Sequence, residues 1–228
     1  MFFNYGDEET EYLKSRDKRL GAVIDALGHI DREVDPDVFS SVVHHIIGQQ
    51  ISQRAMESVW GRVTALLYNV NAENTLSAGI DGLRSCGLSA RKAEYIMDFA
   101  AKVKSGEFDV NALHSMPDYE AEAALVSLKG VGIWTAKMIL LFCLERRDIL
   151  SFGDFGIRRG LRMVYHHREI TKVLFEKYRR RYSPYGSIAS LYLWAVAGGK
   201  LPGMKDYAPQ KAQRLKRAKK PRTTGDKP

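Results

Sequence analysis

Cysteine and long apolar segments are scarce in this chain. Its 228 residues include only two cysteines, Cys86 and Cys143. Two cysteines are too few for a disulfide framework, a four-cysteine zinc site or a cysteine-ligated iron–sulfur cluster. No apolar run approaches the roughly 20 residues that span a bilayer, and residues 1–9 lack the basic start of a signal peptide. We therefore expect an intracellular protein with no membrane segment and no iron–sulfur cluster.

Strand patterns are missing as well. No alternating apolar sequence is bounded by hairpin turns, and apolar residues recur instead at helical spacing. Gly28 would end the first helix, while Asp35 before Pro36 predicts the start of another, as a capping carboxylate followed by proline. Together these patterns predict an all-α fold of nine or ten helices with short connections. The predicted helices cover residues 9–27, 36–47, 53–67, 89–103, 118–127, 134–145, 156–165, 171–182 and 187–197.

The whole chain has a formal net charge of +8, and its positive charge is concentrated in two parts. Residues 155–182 and 201–228 each carry nine Lys or Arg and two acidic residues, so each has a net charge of +7. The remainder is mildly acidic, with a net charge of −6. Because residues 201–228 lack apolar periodicity, we expect a helical domain over residues 1–205 and a basic, disordered tail over residues 206–228. Such a tail attracts polyanions, or simply keeps the protein soluble.

Two glycines separate adjacent predicted helices in the middle of the chain. One helix ends near residue 127, and the next begins directly after Gly130-Val131-Gly132. Glycine permits positive φ and close approach of a ligand to the backbone, and the free amides at a helix start attract anions. Such a hairpin can bind a nucleic-acid phosphate without reading a base. The same sequence also suits an ordinary tight turn between two helices.

A single carboxylate follows the hairpin. Asp154 lies between aromatic and glycine residues, 22 residues after Gly132 and just before the helix predicted at 156–165. An aspartate in this position can cap the helix that follows. A carboxylate held at a helix start is also well placed for acid–base or electrostatic catalysis, so both roles are compatible.

Several segments together resemble the helix–hairpin–helix DNA glycosylase superfamily. They are the loop 48–52, segment 87–93, the hairpin 128–132, its continuation 132–136, and Asp154. Segments 87–93 and 132–136 make the chain most similar to the 3-methyladenine DNA glycosylase II branch, the alkylpurine glycosylases. The resemblance covers residues 9–200 and implies two small helical subdomains with the active site in the cleft between them. We expect no N-terminal β domain of the kind found in longer bacterial members, because the residues before Gln50 have helical patterns.

The resemblance implies a DNA N-glycosylase, which flips a damaged base out of the duplex and cleaves its bond to the sugar. Asp154 would be the catalytic carboxylate, which stabilises the cationic sugar and accepts a proton from the attacking water. Trp134, Trp194 and Met138 would line the base pocket, although both tryptophans also suit a core position. Trp134 occupies the position at which bifunctional members carry a Schiff-base lysine, so we expect a monofunctional enzyme that leaves an abasic site.

Two loops would contact the DNA. By resemblance, Gln50 would enter the gap left by the flipped nucleotide, with Ile51 and Ser52 near the minor groove. Gln49 and Gln50 also suit a plain polar loop before a helix. The hairpin residues that would bind DNA phosphate are Gly130, Val131, Gly132 and Thr135.

The resemblance also bears on cofactors. The family hairpin binds a monovalent cation, Na⁺ or K⁺, through backbone carbonyls, which here would be those of Val126, Leu128 and Val131. No cofactor would be required. An alkylated purine already carries positive charge and is a good leaving group, so enzymes of this branch need little general-acid help.

Excision of alkylated purines of the 3-methyladenine type, in base excision repair, is therefore the predicted function. The expected partner is damaged double-stranded DNA, and we expect a monomer located in the cytoplasm or at the nucleoid. Two alternatives stay open. The same scaffold could act on oxidised, deaminated or mismatched bases, or the chain could be a non-catalytic helix–hairpin–helix protein that only binds DNA. Asp154 and the aromatic pocket argue against the second alternative.

Overall fold

The structure, a computed structural model, describes residues 1–209. Over these residues the chain forms eleven α-helices and one turn of 3-10 helix at Ala112–His114, with no β-structure beyond a single bridge between Phe2 and Glu33. The predicted all-α class is therefore confirmed. The helices are α1 (Asp7–Arg16), α2 (Lys18–Leu27), α3 (Val38–Gly48), α4 (Gln53–Leu67), α5 (Ala72–Ser85), α6 (Ala90–Ser105), α7 (Asp118–Val126), α8 (Ile133–Phe142), α9 (Phe155–Tyr165), α10 (Lys172–Tyr182) and α11 (Gly186–Ala197).

The N-terminal helical prediction, residues 9–27, is wrong in its length. The chain breaks at Asp17, which adopts an extended conformation between α1 and α2. The Asp17 carboxylate accepts hydrogen bonds from the backbone amides of Arg19 and Leu20, both at 3.0 Å. Because the Asp17 side chain caps α2, the chain does not continue as one helix from α1. The apolar stripe that predicted one helix therefore runs across two.

Two other helix predictions need correction. Helix α3 begins at Val38 rather than at Pro36, because Asp37 is the residue that caps it, accepting from Ser40 N at 2.9 Å. Helix α5 lies where no helix is predicted. Its only buried residues are Thr75 and Leu83, and Gly79 interrupts it with a φ of 66°. Glycine inside a helical pattern argues against predicting a continuous helix.

The helices form two groups. Helices α1, α2, α9, α10 and α11 pack mainly against one another, as do helices α3 to α8. The chain therefore starts in the first group, builds the second and returns to the first along the segment that joins α8 to α9. Helices α9 and α11 cross closely at Gly160, where a β-carbon would overlap the carbonyl oxygen of Leu193. Asp154 lies at the end of the returning segment, at the junction of the two groups.

Part of the positive charge in residues 155–182 is paired within the fold. Arg162 donates two hydrogen bonds of 2.7 Å to the carboxylate of Asp206, and Arg181 donates to Asp17. Less of this charge is therefore free for a ligand than the net count implies. Asp206 belongs to the predicted basic tail, of which residues 210–228 lie outside the described part of the chain. Along residues 1–209, no helix is both long and apolar enough to cross a membrane.

Candidate active site

The carboxylate of Asp154 caps helix α9. Its Oδ1 accepts a hydrogen bond from the backbone amide of Ile157 at 2.8 Å, which satisfies one of the free amides at the helix start. Only 6% of the Asp154 surface is exposed. The capping role predicted from the sequence is confirmed, and the cap fixes the carboxylate in one orientation.

Two tryptophans from opposite helix groups also bind this carboxylate. Trp134, the second residue of α8, donates from Nε1 to Oδ2 of Asp154 at 2.7 Å. Trp194, in α11, donates from Nε1 to Oδ1 at 2.9 Å. Each carboxylate oxygen therefore accepts from one indole, and Oδ1 accepts from the α9 backbone as well. Asp154, Trp134 and Trp194, which were predicted to share a site, do lie together. The two hydrogen bonds between them were not predicted, because the three residues are far apart along the chain.

The residues predicted to line the base pocket differ in exposure. Trp134 is 46% exposed, so nearly half of its surface is available to a ligand, whereas Trp194 is half-buried with the ring of Phe142 5.6 Å away. Met138, one turn after Trp134, is 4% exposed. Its side chain is buried but is not part of the contiguous hydrophobic core of the described residues. Trp134 and Trp194 thus provide an aromatic, partly open surface beside a fixed carboxylate, whereas Met138 is almost fully buried.

Gly156 allows the approach of Trp194 to Asp154. A β-carbon at position 156 would lie 2.7 Å from Cδ1 of Trp194 and 3.2 Å from Oδ1 of Asp154. Both distances are shorter than ordinary contacts, so any larger residue would displace the indole. Sequence reasoning missed this glycine. A signal was available, because glycine in the first turn of a helix costs stability relative to alanine and so indicates a need for space.

The two glycines of the hairpin between α7 and α8 have different roles. Gly130 has a φ of 83°, and a β-carbon there would overlap Cδ2 of the Tyr95 ring. Gly132 is the residue before α8, has a φ of −94° and has open space around it. Thr135 is buried, so its side chain is not available to a phosphate. Gly130 therefore shapes the turn, while Gly132 leaves the start of α8 accessible.

Replacing Gly132 with valine is expected to weaken binding of undamaged and damaged duplexes alike, by about tenfold, since a side chain there would stand between the helix amides and a phosphate. The free protein should melt within a few degrees of the wild type. Fluorescence anisotropy at fixed salt concentration measures the affinity. The matched control is Gly6→Val, since Gly6 likewise precedes a helix with open space around it. Unchanged affinity in the Gly132 variant would show that the hairpin is not part of the DNA interface.

The predicted wedge residues lie beside the hairpin. Gln50 is exposed and has a φ of 57°, in the left-handed region. Ile51 is also exposed, and Ser52 caps α4 by accepting from the backbone amide of Ala55. Gln49 donates from Nε2 to the carbonyl oxygen of Gly130 at 2.7 Å. The two loops predicted to contact DNA are therefore joined directly, by a residue whose role the sequence did not indicate.

The carbonyls predicted to bind a monovalent cation are compatible with that role. The Leu128 carbonyl accepts from the backbone amide of Val131 at 3.1 Å and keeps a second lone pair. Among the described residues, no donor bonds the carbonyls of Val126 or Val131.

Within residues 1–209, no group of three His, Cys, Asp or Glu side chains could hold a metal ion. Burial raises the pKa of the Cys143 thiol to about 12, so this cysteine is protonated at neutral pH.

Comparison with known proteins assigns this chain to a family. Residues 43–184 match the HhH-GPD superfamily of base excision DNA repair proteins, and the chain belongs to that superfamily. The crystal structure of a DNA-3-methyladenine glycosidase from Bacillus halodurans superposes with a TM-score of 0.78 at 32% sequence identity, covering 88% of this chain and 94% of that one. The family and branch predicted by resemblance are thereby confirmed.

Two yeast relatives add to this picture. The DNA-3-methyladenine glycosylase 1 of Schizosaccharomyces pombe is 27% identical over 164 residues, which is 70% of this chain and 72% of that protein. The DNA-3-methyladenine glycosylase of Saccharomyces cerevisiae is 28% identical over 198 residues, covering 71% of this chain and 67% of that protein. A Schizosaccharomyces pombe 3-methyladenine DNA glycosylase in complex with abasic DNA shares the fold, with a TM-score of 0.76, 23% identity, and coverage of 89% of this chain and 100% of that one.

Proposed function

We propose that this protein is a monofunctional DNA N-glycosylase that removes alkylated purines of the 3-methyladenine type from double-stranded DNA and leaves an abasic site. The observation that carries the proposal is the Asp154 carboxylate, which three N–H donors hold at the junction of the helix groups. The names of the relatives support the substrate class.

Binding would begin at the two adjoining loops. The amides at the start of α8 would bind a phosphate, and Gln50 would occupy the space vacated by the flipped nucleotide. Extrusion costs a few kcal/mol of lost stacking and pairing, which these contacts would offset. The flipped base would then stand against the exposed side of Trp134, where the π-face favours a positively charged base.

Asp154 would act on the sugar. Cleavage of the N-glycosidic bond transfers the bonding electrons to the purine and leaves positive charge on the sugar ring. A fixed carboxylate stabilises that charge without reorganising during the reaction. It can then accept a proton from the water that adds to the sugar carbon. The cationic alkylated purine departs as a neutral base, so the leaving group needs no proton from the protein.

The absence of a lyase step follows from Trp134. An indole cannot form a Schiff base with the sugar, whereas a lysine in that position could. The lysines nearest to Trp134 in sequence form ion pairs with other residues: Lys129 pairs with Asp98 at 2.6 Å, and Lys137 lies 3.8 Å from Glu122. The abasic strand would therefore stay intact after base release.

Three further properties belong to the proposal. The carbonyls of Val126, Leu128 and Val131 would hold Na⁺ or K⁺, which would supply positive charge beside the bound phosphate. The protein would act as a monomer, because one chain contributes the carboxylate, the aromatic surface and both DNA-contacting loops. Its DNA substrate would place it in the cytoplasm or at the nucleoid.

Base release from methylated duplex DNA tests the proposal directly. Wild-type protein should liberate 3-methyladenine, identified by chromatography, and strand breaks should appear at the lesion only after hot alkali. Breaks before alkali would contradict the monofunctional assignment. A parallel panel with 8-oxoguanine, hypoxanthine and mismatched uracil reports the lesion class, and release of one of these bases alone would replace the alkylpurine assignment. Tight binding without release of any base would instead indicate a protein that only binds DNA.

A further inference from the structure

One face of α6 carries three polar or aromatic side chains at successive helical turns. Lys92, Tyr95 and Asp98 are spaced three residues apart and so project from the same side of the helix. Each contacts one of the two loops that would meet DNA. We call these three residues the α6 docking face.

Lys92 holds the start of the loop 48–52, which carries Gln50 and is called the wedge loop below. Its Nζ donates to the carbonyl oxygens of Ile47 at 2.8 Å and Gln49 at 2.6 Å. These carbonyls belong to the last turn of α3 and its C-terminal cap, where the helix supplies no backbone donors. Burial lowers the pKa of Lys92, in keeping with a side chain directed at the protein rather than at solvent. The direction in which the chain leaves α3 towards Gln50 is therefore set by α6.

Tyr95 and Asp98 hold the hairpin. The Tyr95 ring lies so close to Gly130 that no β-carbon fits between them, and Asp98 pairs with Lys129 at 2.6 Å. The hydrogen bond from Gln49 Nε2 to the Gly130 carbonyl, 2.7 Å long, then links the wedge loop to the hairpin directly. Both loops are thus attached to one helix and to each other.

We infer that the α6 docking face and Gln49 act as positioning residues, which set the distance between the phosphate-binding hairpin and Gln50 so that phosphate binding and wedge insertion occur together. This inference rests on the proposed function. Gln50 has a left-handed backbone conformation, which a residue other than glycine keeps only where its neighbours are held. Lys92 and Gln49 provide that restraint on the α3 side of Gln50.

The first test measures insertion without chemistry. The variants are Lys92→Met, which removes the donors to α3, and Gln49→Leu, which removes the link to Gly130. The probe is a duplex that contains a tetrahydrofuran abasic-site analogue with 2-aminopurine opposite. We expect affinity for this duplex to fall about tenfold, since small misplacements of positioned groups have effects of this size or larger. The 2-aminopurine signal of insertion should be lost, while affinity for undamaged duplex changes less than about twofold.

Two controls separate positioning from general loss of structure. Lys102→Met makes the same substitution in the same helix, at a lysine paired with Glu107, and should leave both affinities unchanged. Lys92→Arg keeps a charged donor and should restore most of the preference for the abasic duplex. Thermal melting of each variant gives the folded fraction at the assay temperature.

Excision kinetics give a second readout. In single-turnover assays, the defect of Lys92→Met should be larger for a lesion in a stable base pair than for the same lesion opposite a mismatch, because a mismatched base costs less to flip. Equal defects on both substrates, or equal losses of affinity for abasic and undamaged duplex, would overturn the inference in favour of a purely structural role. Unaltered preference for the abasic duplex in both variants would also overturn it. The abasic probe has no base to release, so a wrong lesion assignment would leave this test readable.

Discussion

Replacing Asp154 with asparagine is expected to lower the single-turnover rate of base release by about a hundredfold to a thousandfold, the range found when one preorganised electrostatic partner of a developing ion is removed. Asparagine keeps an oxygen for the Ile157 amide, so the cap on α9 survives. It has no negative charge for the sugar cation. With that oxygen in the place of Oδ1, its amide nitrogen would face the indole donor of Trp134, so Trp134 would have to move.

The measurement is release of alkylated purine from a defined duplex with enzyme in excess, followed by alkaline cleavage. Asp37→Asn is the matched control, because Asp37 caps α3 in the same manner but lies outside the site. Both variants should melt close to the wild type. If Asp154→Asn released base at the wild-type rate, Asp154 would be only a helix cap, and another group would have to stabilise the sugar.

Introducing one methyl group with Gly156→Ala should lower the rate of base release about a hundredfold, a loss typical of catalytic groups displaced by about 1 Å. The added carbon would lie 2.7 Å from Cδ1 of Trp194, so the indole would have to leave Oδ1 of Asp154. The preference of alanine for the helical conformation, about 1 kcal/mol over glycine, should offset part of the cost of moving the indole, so the protein should still fold. The predicted effect is therefore a loss of activity with the fold retained.

Rate and melting temperature measured together test this prediction. Gly153→Ala is the control on the other side of Asp154, since its new carbon would meet only Ser151 Oγ, at an ordinary distance of 3.8 Å. Gly160→Ala provides a contrast, because its carbon would overlap the Leu193 backbone and should destabilise the fold itself. Full activity in Gly156→Ala would show that the bond between Trp194 and Asp154 has no part in catalysis.

Features with local causes were predictable. Gly130 and Gly132 indicate the hairpin, and the position of Asp154 before a helix indicates a cap. Both are visible in the sequence because turns and caps depend on neighbouring residues. Helices with an apolar stripe were predicted to within a few residues. Helix α5 was missed because Gly79 interrupts its helical pattern, and the break at Asp17 was missed because helical periodicity continues across it.

The sequence by itself determined the all-α class, the order of loop, hairpin and carboxylate, and the family to which that order belongs. Only the tertiary structure decided that Trp134 and Trp194 both bind Asp154, that Gly156 makes room for one of them, and that α6 holds the two DNA-contacting loops together. Such contacts join residues 20 to 81 positions apart. They depend on how helices cross rather than on any local preference, so no pattern along the chain records them.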